Sequence, residues 1–143
     1  LGAEEIIDYR SQDVVAAVNA WTGGRGADVV FDTVGPAVFQ ASIPAVAHYG
    51  RLVTILDPGQ NVDWKEARLR NLNVSFVLML TPQLLDLNEA RGAQMDILRQ
   101  CGEWLERGEL RVEVARTFPL AQAADAHRLL ETGHVQGKLV LTI

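Results

Sequence analysis

Cysteine is nearly absent, with Cys101 the single one in 143 residues. That excludes an internal disulfide and any Cys-rich zinc cluster, and it suits a reducing cytoplasm. Histidine is scarce as well, and His48, His127 and His134 share no ligand spacing, so none is assigned to a metal or to catalysis. Cations are outnumbered: 13 Lys and Arg against 18 Asp and Glu leave a net charge of -5. A general nucleic-acid surface is thereby excluded, because phosphate binding rests on clustered Lys and Arg. Long apolar runs are missing too. The longest, around Val74 to Leu80, falls far short of the roughly 20 residues that span a bilayer. The opening LGAEEIIDYR has no basic n-region and no apolar h-region, so it is not a signal peptide. It lacks an initiator Met and starts in what reads as a strand, which points to a fragment of a longer chain. A phosphate-cradling G-x-G-x-x-G turn is also missing, because TGGRGAD follows a helical pattern and enters a strand, the reverse of the context that fingerprint needs.

What is present is an ordinary globular composition, 48% hydrophobic and 22% charged. Short β-branched runs alternate with helical patterns over the first 85 residues, the signature of βαβ units and a parallel sheet. Strands are expected at Glu4–Tyr9, Asp28–Thr33, Arg51–Leu56 and Asn73–Leu80. Ser11 is the candidate N-cap of a first helix, with Val14, Val15, Val18 and Trp21 on one face and Gly23-Gly24 ending it. A second helix starts at Pro36, carries Phe39, Ile43, Val46 and Ala47 at helical spacing and closes at Gly50, which sets His48 in its last turn. Pro44 lies inside this pattern and predicts a kink or restart. After Leu80 the alternation stops. A long helix then carries Ile97, Leu98, Cys101, Trp104 and Leu105 as core residues, and the EARGAQ and EWLERGE charges form its solvated face. A strand at Val112–Arg116, a helix at Leu120–Thr132 capped by Gly133 and a strand at Lys138–Ile143 complete the chain.

Three segments taken together, LGAEEIIDYR, GGRGADVVFDTVG and GHVQGKLVLTI, resemble the medium-chain dehydrogenase/reductase family, in particular its branch similar to zinc-type alcohol dehydrogenases and NADPH:quinone reductases. The likeness covers essentially the whole chain. It implies a partial Rossmann fold, a doubly wound parallel sheet lacking its first two strands (residues 1–85), followed by an α+β segment (86–143) that returns to a catalytic domain lying upstream. It also implies an NAD(P)H-dependent oxidoreductase passing hydride to a quinone, enone, carbonyl or alcohol substrate, with NADP the expected cofactor and NAD the alternative. Rival readings are a non-catalytic module with the same fold and an enoyl-reductase piece of a modular synthase. No zinc ligand, and no catalytic residue, is assignable within the chain.

The candidate cofactor residues follow from the same likeness. Thr33, Val34 and Gly35 stand at the carboxyl end of a strand, where open α/β sheets bind ligands and helix N-termini favour anions. Gly35 reads either as a close-approach point or as the tight turn before Pro36. Tyr9 matches the position that contacts the adenosine 2′-phosphate of NADPH, its bland alternative being an amphipathic Tyr beside a solvated Arg10, which stays unassigned. Ile55 and Leu56, with Phe76, Val77 and Leu78, match the segments flanking the nicotinamide, and Lys138 matches a late Gly-Lys that reaches back to the cofactor. The expected small-molecule partners are the dinucleotide and substrate. Missing sheet neighbours leave Glu4–Tyr9, Val112–Arg116 and Lys138–Ile143 unpaired in this expectation. Asn73–Leu80, an apolar edge without Pro, Lys or Glu, is expected to pair with a second copy in a homodimer.

Overall fold

The computed structural model describes residues 2–143 as two compact units, Gly2–Leu87 and Asn88–Ile143. In the first, a three-stranded parallel sheet runs in the order β1 (Ala27–Asp32), β2 (Val46–Thr54), β3 (Asn73–Phe76). The strands are joined by α2 (Pro36–Ser42) with a 3-10 turn (Ile43–Ala45), and by α3 (Trp64–Leu69), while α1 (Val14–Trp21) precedes the sheet. This is a mixed α/β fold whose pairing is wholly parallel, as βαβ alternation requires. Its core is Phe39, Ile43, Val46, Leu52 and Ala67, flanked by Val30, Val62, Leu72 and Val74. Trp64 closes one side, edge-on to Phe39 with ring centroids 6.0 Å apart.

Several expectations are corrected. Glu4–Tyr9 forms no strand: a strand needs a neighbour to take its N–H and C=O groups, and instead the segment ends in a turn where Asp8 accepts from the N–H of Arg10 and from the Ser11 hydroxyl. The cap of α1 is therefore Asp13, whose carboxylate accepts from Ala16 N at 2.9 Å, and not Ser11. At Pro44 the restart is what forms: α2 stops at Ser42 and a 3-10 turn, Ile43–Ala45, holds the proline in its first positions before the chain enters β2. Val46 and Ala47, at helical spacing from Phe39, already lie in β2, and His48 is an exposed strand residue. The start of β2 is irregular, since Ala27 faces Val46 while Val29 faces Arg51, with Tyr49 at φ 62° between them. Arg70 stabilises this stretch: its guanidinium donates to the Val46 carbonyl at 2.9 Å and pairs with Glu66 at 2.7 Å, and its own carbonyl accepts from Tyr49 N–H. The expected strand Asn73–Leu80 is shorter, ending at Phe76 before a brief α4 (Thr81–Leu84).

In the second unit, α5 (Asn88–Glu106) precedes β4 (Val114–Pro119), a 3-10 turn (Leu120–Gln122), α6 (Ala123–Glu131) and β5 (Lys138–Thr142). β4 and β5 pair with each other in parallel, so the expectation that both lack partners is overturned. A βαβ crossover through α6 makes this pairing local, and Phe118 and Ala126 are buried by it. The apolar face of α5 is also corrected: none of its residues is buried, Ile97 and Leu98 stay largely exposed, and Cys101 is half-buried. These side chains are not core in this chain. Among the described residues no helix is long and apolar enough to cross a membrane.

Candidate cofactor site

Because the three strands of the first unit are parallel, their carboxyl ends share one edge of the sheet. Register sets Asp32, Thr54 and Phe76 side by side as the last row of that edge. The ladder continues one step further, with Ile55 N–H donating to Asp32 O at 3.3 Å and Val77 N–H to Thr54 O at 2.9 Å. Beyond this row the chain leaves the sheet in three loops: Thr33–Gly35, Ile55–Asp57 and Val77–Leu78. Such an edge is where open α/β sheets bind ligands.

A cleft of about 290 Å³ opens there, lined by Thr54, Ile55, Leu56, Asp57, Pro58, Phe76, Val77 and Leu78. The structure thus brings Ile55 and Leu56 together with Phe76, Val77 and Leu78 in one concavity. Its walls are largely apolar, and Leu56, Phe76 and Leu78 remain exposed.

Gly35 lies next to this cleft. Its backbone, at φ 118° and ψ -156°, is essentially restricted to glycine, and a Cβ there would stand 3.6 Å from Leu56 Cδ1. Gly35 caps the amino end of α2, with Pro36 at the first helical position. Thr33 and Val34 precede it and are exposed, Val34 at 67%. The loop therefore turns Thr33 and Val34 outward, while Gly35, itself buried, makes the tight turn into α2 that only a residue without a side chain readily adopts.

Beneath the loops lies a pair of polar side chains that sequence reasoning did not single out. Asp32 is 2% exposed and Thr54 is 1% exposed. One carboxylate oxygen of Asp32 accepts from Val34 N at 3.0 Å and Gly35 N at 3.2 Å, and the other accepts from Thr54 Oγ1 at 2.9 Å. Thr54 Oγ1 also accepts from Leu56 N at 3.1 Å. A charged residue closing an otherwise apolar β-run three positions before a glycine is the signal that marks Asp32. Thr54, a β-branched residue in a strand, carries no such signal.

The remaining candidates lie elsewhere. Tyr9 sits in the turn after the N-terminal segment, 73% exposed, with the Arg10 guanidinium 5.8 Å from its ring centroid. Lys138 belongs to the second unit, at the first position of β5, where its N–H donates to Glu113 O at 2.8 Å and its side chain is exposed. Among the described residues no three His, Cys, Asp or Glu side chains are grouped to hold a metal ion.

This parallel α/β arrangement is of Rossmann type, and it matches the fold of dehydrogenases of known structure. The match with the zinc-binding dehydrogenase family extends over residues 1–141, and the chain belongs to that family. It is 31% identical to 2-haloacrylate reductase of a Burkholderia species over 99% of the chain and 42% of that protein. It is 33% identical to a quinone oxidoreductase of Pseudomonas aeruginosa over 98% of the chain and 43% of that protein. The crystal structure of an alcohol dehydrogenase superfamily protein from Novosphingobium aromaticivorans superposes with a TM-score of 0.79 at 28% identity, covering 93% of this chain and 41% of that one. The chain thus spans about two fifths of the length of these relatives.

Proposed function

We propose that this chain is the carboxyl-terminal part of the cofactor-binding half of an NAD(P)H-dependent oxidoreductase that reduces a quinone, enone or carbonyl substrate. The observation that carries the reading is the convergence of Ile55, Leu56, Phe76, Val77 and Leu78 on one apolar cleft at the carboxyl edge of the sheet. Named relatives that are reductases of haloacrylate and of quinones support it. Reduced nicotinamide, when bound, supplies the hydride, and the protein's part is binding and orientation. Leu56 and Phe76 would cover a ring and keep water from it. Gly35 would let backbone approach the rest of the dinucleotide, along a path that takes in Thr33 and Val34. No proton donor for the substrate is assigned to this chain. Its single cysteine supports a reducing, cytoplasmic setting.

Tyr9 and Arg10 pair a phenol with a guanidinium on an exposed turn, which suits a phosphate and favours NADP over NAD. In a polypeptide that joins this chain to the upstream half found in its relatives, Tyr9→Ala should weaken NADPH about tenfold, roughly the loss of one charge-assisted contact, and leave NADH within about twofold. Equal losses for both cofactors would remove Tyr9 from the 2′-phosphate role. The 143-residue chain alone, lacking a phosphate-cradling turn, should show no NADPH binding by calorimetry at concentrations below about a millimolar. Micromolar binding would mean that the residues present here suffice.

The outer strand β3 supports assembly as a homodimer. Val77 N–H is spent on Thr54 O, so by alternation the donors of Val74 and Phe76 point to the open edge, which continues into the exposed apolar residues Leu78, Met79 and Leu80. Pairing with a second copy would satisfy these groups. Light scattering at tens of micromolar should give twice the monomer mass, and a monodisperse monomer would contradict the pairing.

A further inference from the structure

We infer that Thr54 is a positioning residue for the dinucleotide, its hydroxyl holding the loops Thr33–Gly35 and Ile55–Asp57 in one mutual arrangement; the inference rests on the cofactor reading of the cleft. Thr54 Oγ1 is the atom through which the two loops are joined by side-chain hydrogen bonds. On one side it donates to Asp32 Oδ2 at 2.9 Å, and Asp32 Oδ1 in turn accepts from Val34 N and Gly35 N. On the other it accepts from Leu56 N at 3.1 Å, with Leu56 O a further 3.0 Å neighbour. A hydroxyl has one proton, so it donates to the carboxylate or to the Leu56 carbonyl at any moment. The carboxylate is the stronger acceptor, because charge-assisted bonds are roughly twice as strong as neutral ones.

Burial makes this more than a local turn. Both side chains are almost fully removed from water, yet the residues they hold, Val34 and Leu56, are exposed at the ligand edge. Valine would fill the same volume without a polar group to satisfy, so packing alone gives no reason for a hydroxyl here. What the hydroxyl adds is direction. It ties the glycine loop at the end of β1 to the cleft wall at the end of β2, across 22 residues of sequence. A ligand that touches both loops meets them already set, and the ordering cost is not charged against binding.

The test compares Thr54→Val, which keeps the shape and removes the hydroxyl, with Thr54→Ser, which keeps the hydroxyl. In the full-length protein containing this chain, fluorescence titration should show NADPH binding about tenfold weaker for the valine variant, the scale of one lost buried hydrogen bond. The serine variant should bind close to wild type, and KM for the acceptor should stay within about twofold in both. Amide exchange at Val34, Gly35 and Leu56 should accelerate in the valine variant and recover with serine. Binding by the valine variant within twofold of wild type overturns the inference, as does a serine variant as weak as valine. Should the valine variant not fold, Thr54→Ala carries the same two measurements. A wild-type protein that binds neither NADPH nor NADH removes the cofactor reading and this inference together. Intact wild-type binding with unchanged exchange in the variant removes this inference alone.

Discussion

Asp32→Ala should lower the melting temperature of the first unit by roughly 12–24 °C, the shift that about 3 kcal/mol produces in a domain of under 100 residues. The carboxylate accepts from Val34 N, Gly35 N and Thr54 Oγ1, and the residue is 2% exposed. Alanine leaves these donors without their acceptor. Each buried donor so orphaned costs on the order of 1–3 kcal/mol, and the hydroxyl alone has a fallback in the Leu56 carbonyl at 3.0 Å. Asn at this position should cost less. Its amide oxygen can still accept from the two backbone N–H groups, and its NH2 can donate to Thr54 Oγ1, which then turns its proton to Leu56 O. Thermal denaturation followed by circular dichroism measures both variants. A loss below about 3 °C for alanine would show that water satisfies the loop amides and that the buried carboxylate is not their organiser.

Gly137→Ala should uncouple β4 from β5 while leaving the first unit intact. Gly137 sits at φ 98°, and a Cβ built there would lie 2.6 Å from the Glu113 carbonyl oxygen and 3.3 Å from Ala115 N. These are backbone atoms at the start of β4 and of the residue before it, so no side-chain rotation relieves the overlap. That same carbonyl accepts the Lys138 N–H at 2.8 Å, the first bond between the two strands. The backbone conformation itself costs roughly 1–2 kcal/mol for a residue with a Cβ, and the displaced bond adds about 1 more. A total of about 2–3 kcal/mol corresponds to a change of roughly thirtyfold to a hundredfold in an opening equilibrium. Alternation from Lys138 sends the N–H groups of Val140 and Thr142 toward β4, so their hydrogen exchange should accelerate by that factor. Exchange at Leu52 and Val53 should not change. Retained protection at Val140 would mean that the strand accommodates the methyl group by a shift of register.

Much of the fold was legible because local and tertiary signals agree. The Gly-Pro pair at 35–36 predicts a helix start and produces one. Apolar β-branched runs at 28–33 and 51–56 predict strands, and their cores are strands. Misreadings arise where period and tertiary demand diverge. Val46 and Ala47 continue the helical spacing of Phe39 and Ile43, yet their burial comes from β2, entered just after Pro44 and bent within the strand at Tyr49, which no propensity announces. Ile97, Leu98, Trp104 and Leu105 keep an amphipathic face, but none of them is buried among the described residues. Periodicity reports what a helix can cover, not what covers it. At the site, Ile55, Leu56, Phe76, Val77 and Leu78, which share the cleft, were indicated by the family resemblance alone, because strand residues that act through backbone carry no side-chain signature. Asp32 and Thr54 were missed because their importance depends on register: they become neighbours when β1 and β2 pair, and the sequence separation of 22 residues hides that.

The parallel pairing described above also bears on how the chain acquires its structure. Arg51 meets Val29 and Asn73 across 22 residues each, and Lys138 meets Val114 across 24. Loop-closure entropy grows only with the logarithm of length, about 0.6 kcal/mol per doubling, so these three closures oppose assembly almost equally. None is short enough to form as an autonomous hairpin seed. Each sheet must therefore wait for a helix-containing crossover to collapse before its hydrogen bonds repay the search, which sets the pace of folding by topology rather than by any one strong contact. During synthesis from the amino terminus, every strand of the first sheet has been made once Phe76 is added, whereas β4 stays unpartnered until the final residues of β5 emerge.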